Sequence, residues 1–411
     1  MNHTDITFPK GFTAFGLACQ IKKNGKPDLG LLISHPPAQI FGALTRNAVK
    51  AAPVLYCQKV LDSGKPVSHI LVNSGNANAC TGDRGYQDVL NEVELLRKFA
   101  NPQGEIMVSS TGVIGEYLPM EKIQAGIEKL AREAFRLEAA EGKSEGNLPG
   151  QDFHPFINSI MTTDTFEKHT QIVVELDGHE VRIGGIAKGA GMIRPNMATM
   201  LSYITTDIHL PANFRADFMQ IVEKSFNSIS VDGDMSTNDT VLLLANGASG
   251  ISYSNISEQA KRIFAQGVEA VMQDLAKQII RDGEGATKLI TIEVTSAQNA
   301  QDAKAICRAI ANSPLVKTAF FGGDANWGRV LAAAGSCDAE LIPEKLRLEF
   351  CGVKVLEKGG AAKFDEADLT ARMKEKDVSV KLDLGLGKAE WKYWTCDLSY
   401  EYVKINADYR S

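Results

Sequence analysis

Short apolar runs alternate with longer amphipathic segments along most of the chain, and this alternation limits the fold more than any other sequence feature. Residues 70–72 and 106–108 are apolar runs that each enter a polar turn, which is typical of buried strands. Residues 89–99 and 257–281 carry apolar side chains at helical spacing. This alternation predicts an α/β (α+β) class, with layered sheets covered by helices.

Turn residues and shorter runs predict further elements. Asp177 and Gly178 separate strand-like residues 172–175 and 181–183, and this dipeptide is a strong β-hairpin signal. The other predicted elements are a helix over 212–226, strands over 241–244 and 289–294, a helix over 303–311 and a surface loop over 141–151.

The length of 411 residues exceeds what one ordinary core supports and predicts two domains. The boundary is expected near residues 281–289, between a long predicted helix and a strand. We therefore predict a larger domain over residues 1–285 and a smaller C-terminal α/β domain over residues 286–411.

Charge and cysteine usage exclude several classes of protein. The formal net charge is -6 and no dense Lys/Arg block is present, which argues against nucleic acid. The seven cysteines include no CxxC pair, so neither a disulfide framework nor a zinc site is expected, and no metal site is predicted. No apolar run reaches the length of a membrane span, and no leader is recognisable, which predicts a cytoplasmic protein without a membrane partner.

The most unusual stretch covers residues 188–201, with the sequence KGAGMIRPNMATML. Taken alone, a glycine-rich turn followed by Thr199 is usually a loop between strands. A phosphate-binding loop is a weak alternative, because the stretch lacks the GxxxxGK[ST] spacing.

This stretch resembles the cleavage-site signature of the ornithine acetyltransferase (bifunctional glutamate N-acetyltransferase) family of arginine biosynthesis. Further blocks resemble the same family in the same order, from about residue 8 to the last residue. Arg194 and Ser411 are small departures from its pattern. The blocks are NSGNANACTG at 73–82, STGVIG at 110–115, MTTDT at 161–165, VDGDMSTNDT at 231–240, RDGEGATK at 281–288, GGDANWGR at 322–329 and NADYRS at 406–411.

The resemblance implies an autoproteolytic acyltransferase whose larger domain is N-terminal-nucleophile-like. The chain would cut itself between Ala198 and Thr199, giving chains 1–198 and 199–411, two of each in a heterotetramer. A relaxed trans peptide resists such attack, so the fold must strain the bond. Thr199 would then carry acetyl from N2-acetylornithine to glutamate by a ping-pong mechanism. Its own α-amino group is one candidate for the base.

The resemblance also implies roles for individual residues. Thr111 and Gly112 would form the oxyanion hole, and the C-terminal tail would return to the active site. For each residue a plain alternative stays open: a strand-ending turn at 111–112, a surface charge at Lys188, a strand hydroxyl at Thr162, a solvated helix end at Glu284 and a frayed tail. The implied substrate-binding residues are Thr162, Lys188, Thr199, Glu284, Asn406 and Ser411.

Two polar blocks are interpreted as structural. Asn76, Asn78, Cys80 and Thr81 are expected to support the site, and nothing nearby in sequence would activate Cys80 as a nucleophile. Carboxylates between residues 232 and 239 lack calcium-loop spacing, so we expect them to accept backbone hydrogen bonds.

Two other functions are weighed against acetyl transfer. One is an amidohydrolase or aminopeptidase that uses Thr199 with water as the acceptor. The other is a non-enzymatic binding protein, which the joint presence of Thr199, Thr111, Gly112 and Lys188 disfavours. No bound cofactor is expected, and the sequence leaves open whether acetyl-CoA serves as a co-substrate.

Overall fold

The computed structural model describes residues 5–141, 153–194 and 200–407. Its strands are β1 (Phe12–Leu17), β2 (Leu29–Leu44), β3 (Val67–Asn76), β4 (Glu105–Val113), β5 (Lys168–Leu176), β6 (His179–Lys188), β7 (Leu201–Thr206), β8 (Ile229–Ser230), β9 (Thr240–Ala245), β10 (Leu289–Ala297), β11 (Arg347–Phe350), β12 (Val353–Glu357), β13 (Gly360–Ala361), β14 (Asp377–Asp383) and β15 (Ala389–Cys396). Its α-helices are α1 (Ala52–Ser63), α2 (Gly82–Ala100), α3 (Met120–Glu141), α4 (His154–Ile160), α5 (Arg215–Lys224), α6 (Glu258–Arg281), α7 (Ala300–Ala311), α8 (Pro314–Phe321), α9 (Trp327–Ala334), α10 (Glu366–Met373) and α11 (Tyr400–Ala407).

The chain divides into two compact units, each built on one sheet. The first unit comprises Met1–Gly189, Asn196–Ser225 and Met235–Ala276. The second comprises Ala190–Pro195, Phe226–Asp234 and Lys277–Ser411. The sequence assigned only residues 286–411 to the second domain. The difference arises partly because β8, a strand of two residues with no sequence signal of its own, pairs with β15 in the second sheet.

The first unit contains an eight-stranded sheet in the order β4-β3-β2-β9-β7-β6-β5, with β1 paired to β2. On one face of β3 and β4, Leu71 and Val108 pack with apolar residues of α2 and α3. On the other face, Val72 and Met107 pack with Phe156 of α4. Helices therefore cover both faces at this end of the sheet, as the predicted layered architecture requires.

The β5–β6 hairpin forms as predicted, with a two-residue turn at Asp177 and Gly178. Both residues have positive φ angles, 51° and 83°, which is the geometry that matches the twist of paired strands. Strand β6 then pairs antiparallel with β7, with Lys188 opposite Leu201, and β7 runs parallel to β9. These pairings fix the position of Lys188 at the end of β6.

The second unit contains a seven-stranded sheet in the order β13-β12-β11-β14-β10-β15-β8. Strand β10 lies in the interior of the sheet and pairs parallel with β14 and antiparallel with β15. Its alternate residues Ile290, Ile292 and Val294 are fully buried in a core that includes residues of α7. This alternation is the signal that predicted the strand.

Several predicted bounds need correction. The helix predicted over 212–226 is a 3₁₀ turn (Ala212–Phe214), the α-helix α5 and a second 3₁₀ turn (Phe226–Ser228). The polar residues 109–112 do not end their strand, because β4 continues to Val113. Most of the loop predicted over 141–151 lies outside the described residues. Across the described part of the chain, none of the helices has the length and apolarity needed to span a membrane.

Candidate functional site

The first unit holds a buried lysine bonded to two threonine hydroxyls. Lys188, at the end of β6, is only 2% exposed. Its Nζ donates to Thr162 Oγ1 at 2.8 Å and to Thr111 Oγ1 at 3.2 Å. The surface-charge alternative for Lys188 is therefore wrong. Since an ammonium only donates, both hydroxyls accept from it and keep their own protons for another acceptor.

Gly112 follows Thr111 within β4 and occupies a position that only glycine fits. Its φ is +136°, and a Cβ there would overlap the Gly75 carbonyl carbon and the Asn76 nitrogen of β3. Residues 111–112 are thus part of a paired strand with a register shift rather than a plain strand-ending turn. The missing side chain lets the two backbones approach closely beside the Thr111 hydroxyl.

Asp164 connects the two segments that carry Lys188 and Thr162. Its Oδ1 accepts from the Gly189 backbone N–H and from Lys168 Nζ, both at 2.7 Å, and its Oδ2 accepts from the Thr162 N–H at 2.9 Å. The Asp164 and Lys168 side chains are both 0% exposed. Burial raises the pKa of Asp164, but Lys188, Lys168 and these hydrogen bonds outweigh it and lower the pKa to about 2. The Asp164 carboxylate is therefore ionised, and it holds the backbone N–H groups of Thr162 and Gly189.

Thr199 and Ala198 lie outside the described residues, and so does Ser411. The next residue, Met200, is held at both backbone groups. Its N–H donates to Asp239 Oδ1 at 3.0 Å, and its carbonyl accepts from the Thr240 N–H at 3.1 Å. Burial raises the pKa of Asp239 well above its usual range, although the Met200 N–H and Lys188 oppose this.

In the second unit, Glu284 and Asn406 contact each other. Asn406 Nδ2, on α11, donates to Glu284 Oε2 at 2.9 Å. Glu284 lies three residues after α6 ends and is 9% exposed, so it is not a solvated helix end. A Cβ at Gly191 would overlap the Glu284 carboxyl group, so a glycine there leaves room for this side chain.

Asn76, at the end of β3, and Asn78 and Thr81, in the loop that follows, form hydrogen bonds that hold this loop in place. Asn76 Nδ2 donates to the carbonyls of Glu116 and Tyr117 at 3.2 and 3.1 Å. Asn78 Nδ2 donates to the Gly85 carbonyl at 2.9 Å and its Oδ1 accepts from Thr81 Oγ1 at 2.8 Å. These bonds attach the loop after β3 to the start of α2.

Asp232, which follows β8, accepts backbone hydrogen bonds, which confirms its interpretation as a turn carboxylate. Asp232 accepts from Met192 N–H at 2.6 Å and from Ile193 N–H at 2.9 Å. It also accepts from the N–H of Asp234 at 3.2 Å.

Sequence reasoning missed Asp164 and Lys168, and it predicted a backbone hydrogen bond to Asp239 without identifying the donor. Asp164 and Lys168 have i,i+4 spacing, but the spacing alone does not reveal that both side chains are buried. Asp239 lies inside a block already interpreted as a turn, and only the tertiary contact with Met200 shows what it holds.

Comparison with known proteins identifies relatives along the whole chain. A model of the ArgJ family matches residues 13–411. The protein named Arginine biosynthesis bifunctional protein ArgJ from Listeria monocytogenes serotype 4b (strain F2365) is 42% identical over 411 residues, 99% of this chain and 98% of that protein. The protein of the same name from Syntrophotalea carbinolica is 45% identical over 404 residues, 98% of this chain and 99% of that protein. A crystal structure of arginine biosynthesis bifunctional protein argJ from Bacillus halodurans is 39% identical, covers 50% of this chain and 97% of its own, and has a TM-score of 0.48.

Proposed function

This chain belongs to the ArgJ family and is an acyltransferase of arginine biosynthesis, and we propose that it transfers acetyl from N2-acetylornithine to glutamate. The observation that carries the proposal is the buried Lys188 ammonium bonded to the hydroxyls of Thr111 and Thr162. Such a cluster offers a cation for a carboxylate and polarised hydroxyls for an oxyanion, which are the groups that this transfer needs.

In the donor half of the cycle, the Thr199 hydroxyl oxygen attacks the acetyl carbonyl of N2-acetylornithine. The hydroxyl proton passes through a base to the departing amine, the amide C–N bond breaks, and ornithine leaves an acetyl-threonine ester. In the acceptor half, the neutral α-amine of glutamate attacks this ester. The ester C–O bond breaks, Thr199 regains its proton, and N-acetylglutamate leaves.

Both halves pass through a tetrahedral oxyanion, and we assign Thr111 and Gly112 to stabilise it. Because Thr111 Oγ1 accepts from Lys188, its own hydroxyl proton is available to the oxyanion. A nearby ammonium also strengthens that hydroxyl as a donor. Burial of Thr111 and Lys188, each 2% exposed, keeps the interaction unscreened.

We further propose that Thr199 becomes N-terminal by self-cleavage. Its hydroxyl would attack the Ala198 carbonyl, the peptide C–N bond would break to give an ester, and water would open that ester. The fixed backbone of Met200 supports this, since a bond next to an anchored residue is easier to hold in a reactive geometry. The freed α-amine is a candidate base for transfer.

The remaining assignments follow the family resemblance. Lys188 and Thr162 would bind the α-carboxylate shared by both substrates, with Glu284, Asn406 and Ser411 as further substrate contacts. We propose that the enzyme works in the cytosol without a bound cofactor, as an assembly of two chains of each kind. A direct assay with acetyl-CoA and glutamate determines whether acetyl-CoA is a second acetyl donor.

The test combines mass spectrometry with a two-substrate assay. We expect wild-type protein to yield fragments split after Ala198, and Thr199→Ala to stay intact and inactive. Thr206→Ala, a change of the same kind farther along β7, should still split. Wild-type protein should release ornithine from N2-acetylornithine quickly only when glutamate is present. Equal release without glutamate, with free acetate accumulating, would instead establish a hydrolase.

A further inference from the structure

Glutamate, the proposed acceptor, has a side-chain carboxylate for which no basic partner has been assigned so far. On the proposed function, glutamate and ornithine share an α-carboxylate, which Lys188 would bind. Their far ends carry opposite charges, a carboxylate in glutamate and an ammonium in ornithine. A single lysine contacting the α-carboxylate therefore leaves the second carboxylate of glutamate without a partner.

Lys22 supplies a second ammonium beside the same segment. Its Nζ donates to the carbonyls of Asn158 and Met161, each at 3.2 Å. Met161 directly precedes Thr162, whose hydroxyl accepts from Lys188 Nζ at 2.8 Å. Two lysines from distant parts of the sequence are thus bonded to adjacent residues.

The Lys22 ammonium retains donor capacity. It has three N–H donors, and two carbonyls occupy two of them. The Asp28 carboxylate accepts instead from the backbone N–H groups of Cys19 and Lys22, at 2.6 and 2.9 Å. Among the described residues no ion pair joins a carboxylate to the Lys22 ammonium, although the charge of Asp28 raises its pKa.

Charges of both signs surround Lys22. Burial lowers the pKa of Lys22 to about 8, with Lys26 and Lys188 adding to the shift and Asp28 and Asp164 opposing it. The group still carries its charge near neutral pH. Two carboxylates are bonded to residues of this segment: Asp164 accepts from the Thr162 N–H, and Glu167 accepts from Asn158 Nδ2. Both already have other partners, Lys168 for Asp164 and His154 for Glu167. The Lys22 ammonium therefore offers its remaining N–H to an arriving carboxylate, whereas it offers nothing to the ammonium of ornithine.

We propose that Lys22 is a specificity-determining residue that binds the side-chain carboxylate of glutamate in the acceptor half of the cycle. The inference rests on the proposed function and deepens it. It assigns the preference for a dicarboxylic acceptor to the lysine pair of Lys22 and Lys188.

Comparison of two acceptors tests the proposal. Glutamine has the shape of glutamate with a neutral far end, so the ratio of kcat/KM for glutamate to kcat/KM for glutamine isolates the charge interaction. We expect Lys22→Met to lower that ratio about 10- to 100-fold, the range for losing one charge-assisted hydrogen bond. Lys22→Arg should keep most of the ratio, and Lys23→Met, which removes a charge from an exposed neighbour, should not change it.

The ratio separates recognition from structural damage. If Lys22 only holds the segment 158–161 in place, Lys22→Met will slow both acceptors equally and leave the ratio unchanged, which overturns the proposal. If wild-type protein forms no N-acetylglutamate from N2-acetylornithine, the proposed function itself fails, and the two failures are therefore distinguishable.

Discussion

Two buried carboxyl groups of the first unit, Asp164 and Glu92, are held in opposite states of charge. Asp164 has a pKa lowered to about 2, because its two lysines and backbone donors outweigh burial. Glu92, on α2, is 0% exposed, and neither of its carboxyl oxygens has a hydrogen-bond partner. Burial, with a smaller effect of Asp88, raises its pKa to about 8.

Burial alone therefore does not decide whether a carboxyl group is ionised. A buried carboxyl stays charged where the fold supplies cations and N–H donors, and otherwise becomes neutral. The charged state occurs where the proposed chemistry needs electrostatics, beside Lys188 and Thr162. The neutral state occurs on α2, where neither oxygen of the Glu92 carboxyl has a hydrogen-bond partner.

We expect the largest effect, on the free energy of unfolding, from breaking the buried ion pair between Asp164 and Lys168. Asp164→Asn leaves Lys168 buried without its carboxylate, and we expect it to lower the free energy of unfolding by about 3–5 kcal/mol. Urea denaturation measures this, with Asp62→Asn, an exposed aspartate of α1, as the control that should change little. A loss below about 1 kcal/mol would show that the ion pair is not a strong one.

A second prediction compares two adjacent hydroxyls of β4. Thr111→Val removes the acceptor of Lys188 Nζ and the proposed oxyanion donor, so kcat should fall about 100- to 1000-fold. Ser110→Ala removes a buried hydroxyl that has no partner, and kcat should stay within about twofold. Steady-state assays measure kcat for both variants. Similar losses of kcat in the two would contradict the assignment of Thr111 to the oxyanion.

A third prediction concerns Glu92 and the pH dependence of stability. Its folded pKa, about 8, is above its ordinary value of 4.5, so the folded state binds more protons between these limits. Stability must therefore fall as pH rises through this range. Glu92→Gln removes that dependence, and we expect the variant to be about 1–3 kcal/mol more stable than wild type near pH 9. Urea denaturation near pH 5 and pH 9 measures it; a variant less stable at both would contradict the neutral state.

The smallest effect should come from titrating Lys22. Because its pKa is about 8, the ammonium is lost as pH rises through that value. The ratio of kcat/KM for glutamate to that for glutamine should then fall several-fold between neutral and alkaline pH. Both acceptors share the titrating α-amine, so the ratio cancels its effect. Lys22→Met should show a ratio that no longer depends on pH in this range.

Local signals in the sequence predicted much of the fold. The Asp177–Gly178 turn and the periodicity of α6 each lie within one segment, and both elements form as predicted. The helix predicted over 212–226 was only partly right, because apolar spacing does not distinguish an α-helix from flanking 3₁₀ turns. Elements with strong periodicity were therefore easier to predict than their ends.

The residues of the candidate site could not be brought together from local sequence patterns alone. The resemblance named Lys188 and Thr111, yet only the fold brings together residues 77 positions apart in the chain. Lys22 has no distinguishing sequence context, and its partners lie 136 and 139 positions away. The roles assigned to Thr199 and Ser411 stay predictions, because both lie outside the described residues.

The pairing of β6 with β7 has a consequence for a chain cut after residue 198. Strand β6 would belong to the first fragment and β7 to the second, yet six residue pairs join them in one ladder. Strands β2 and β9, also on different fragments, are joined by six more. Pulling the halves apart would expose open strand edges, which tend to aggregate. The cleaved molecule should therefore behave as a split protein whose two fragments stay together permanently. The fragments should be soluble together and insoluble when produced alone. They should not exchange between molecules without unfolding.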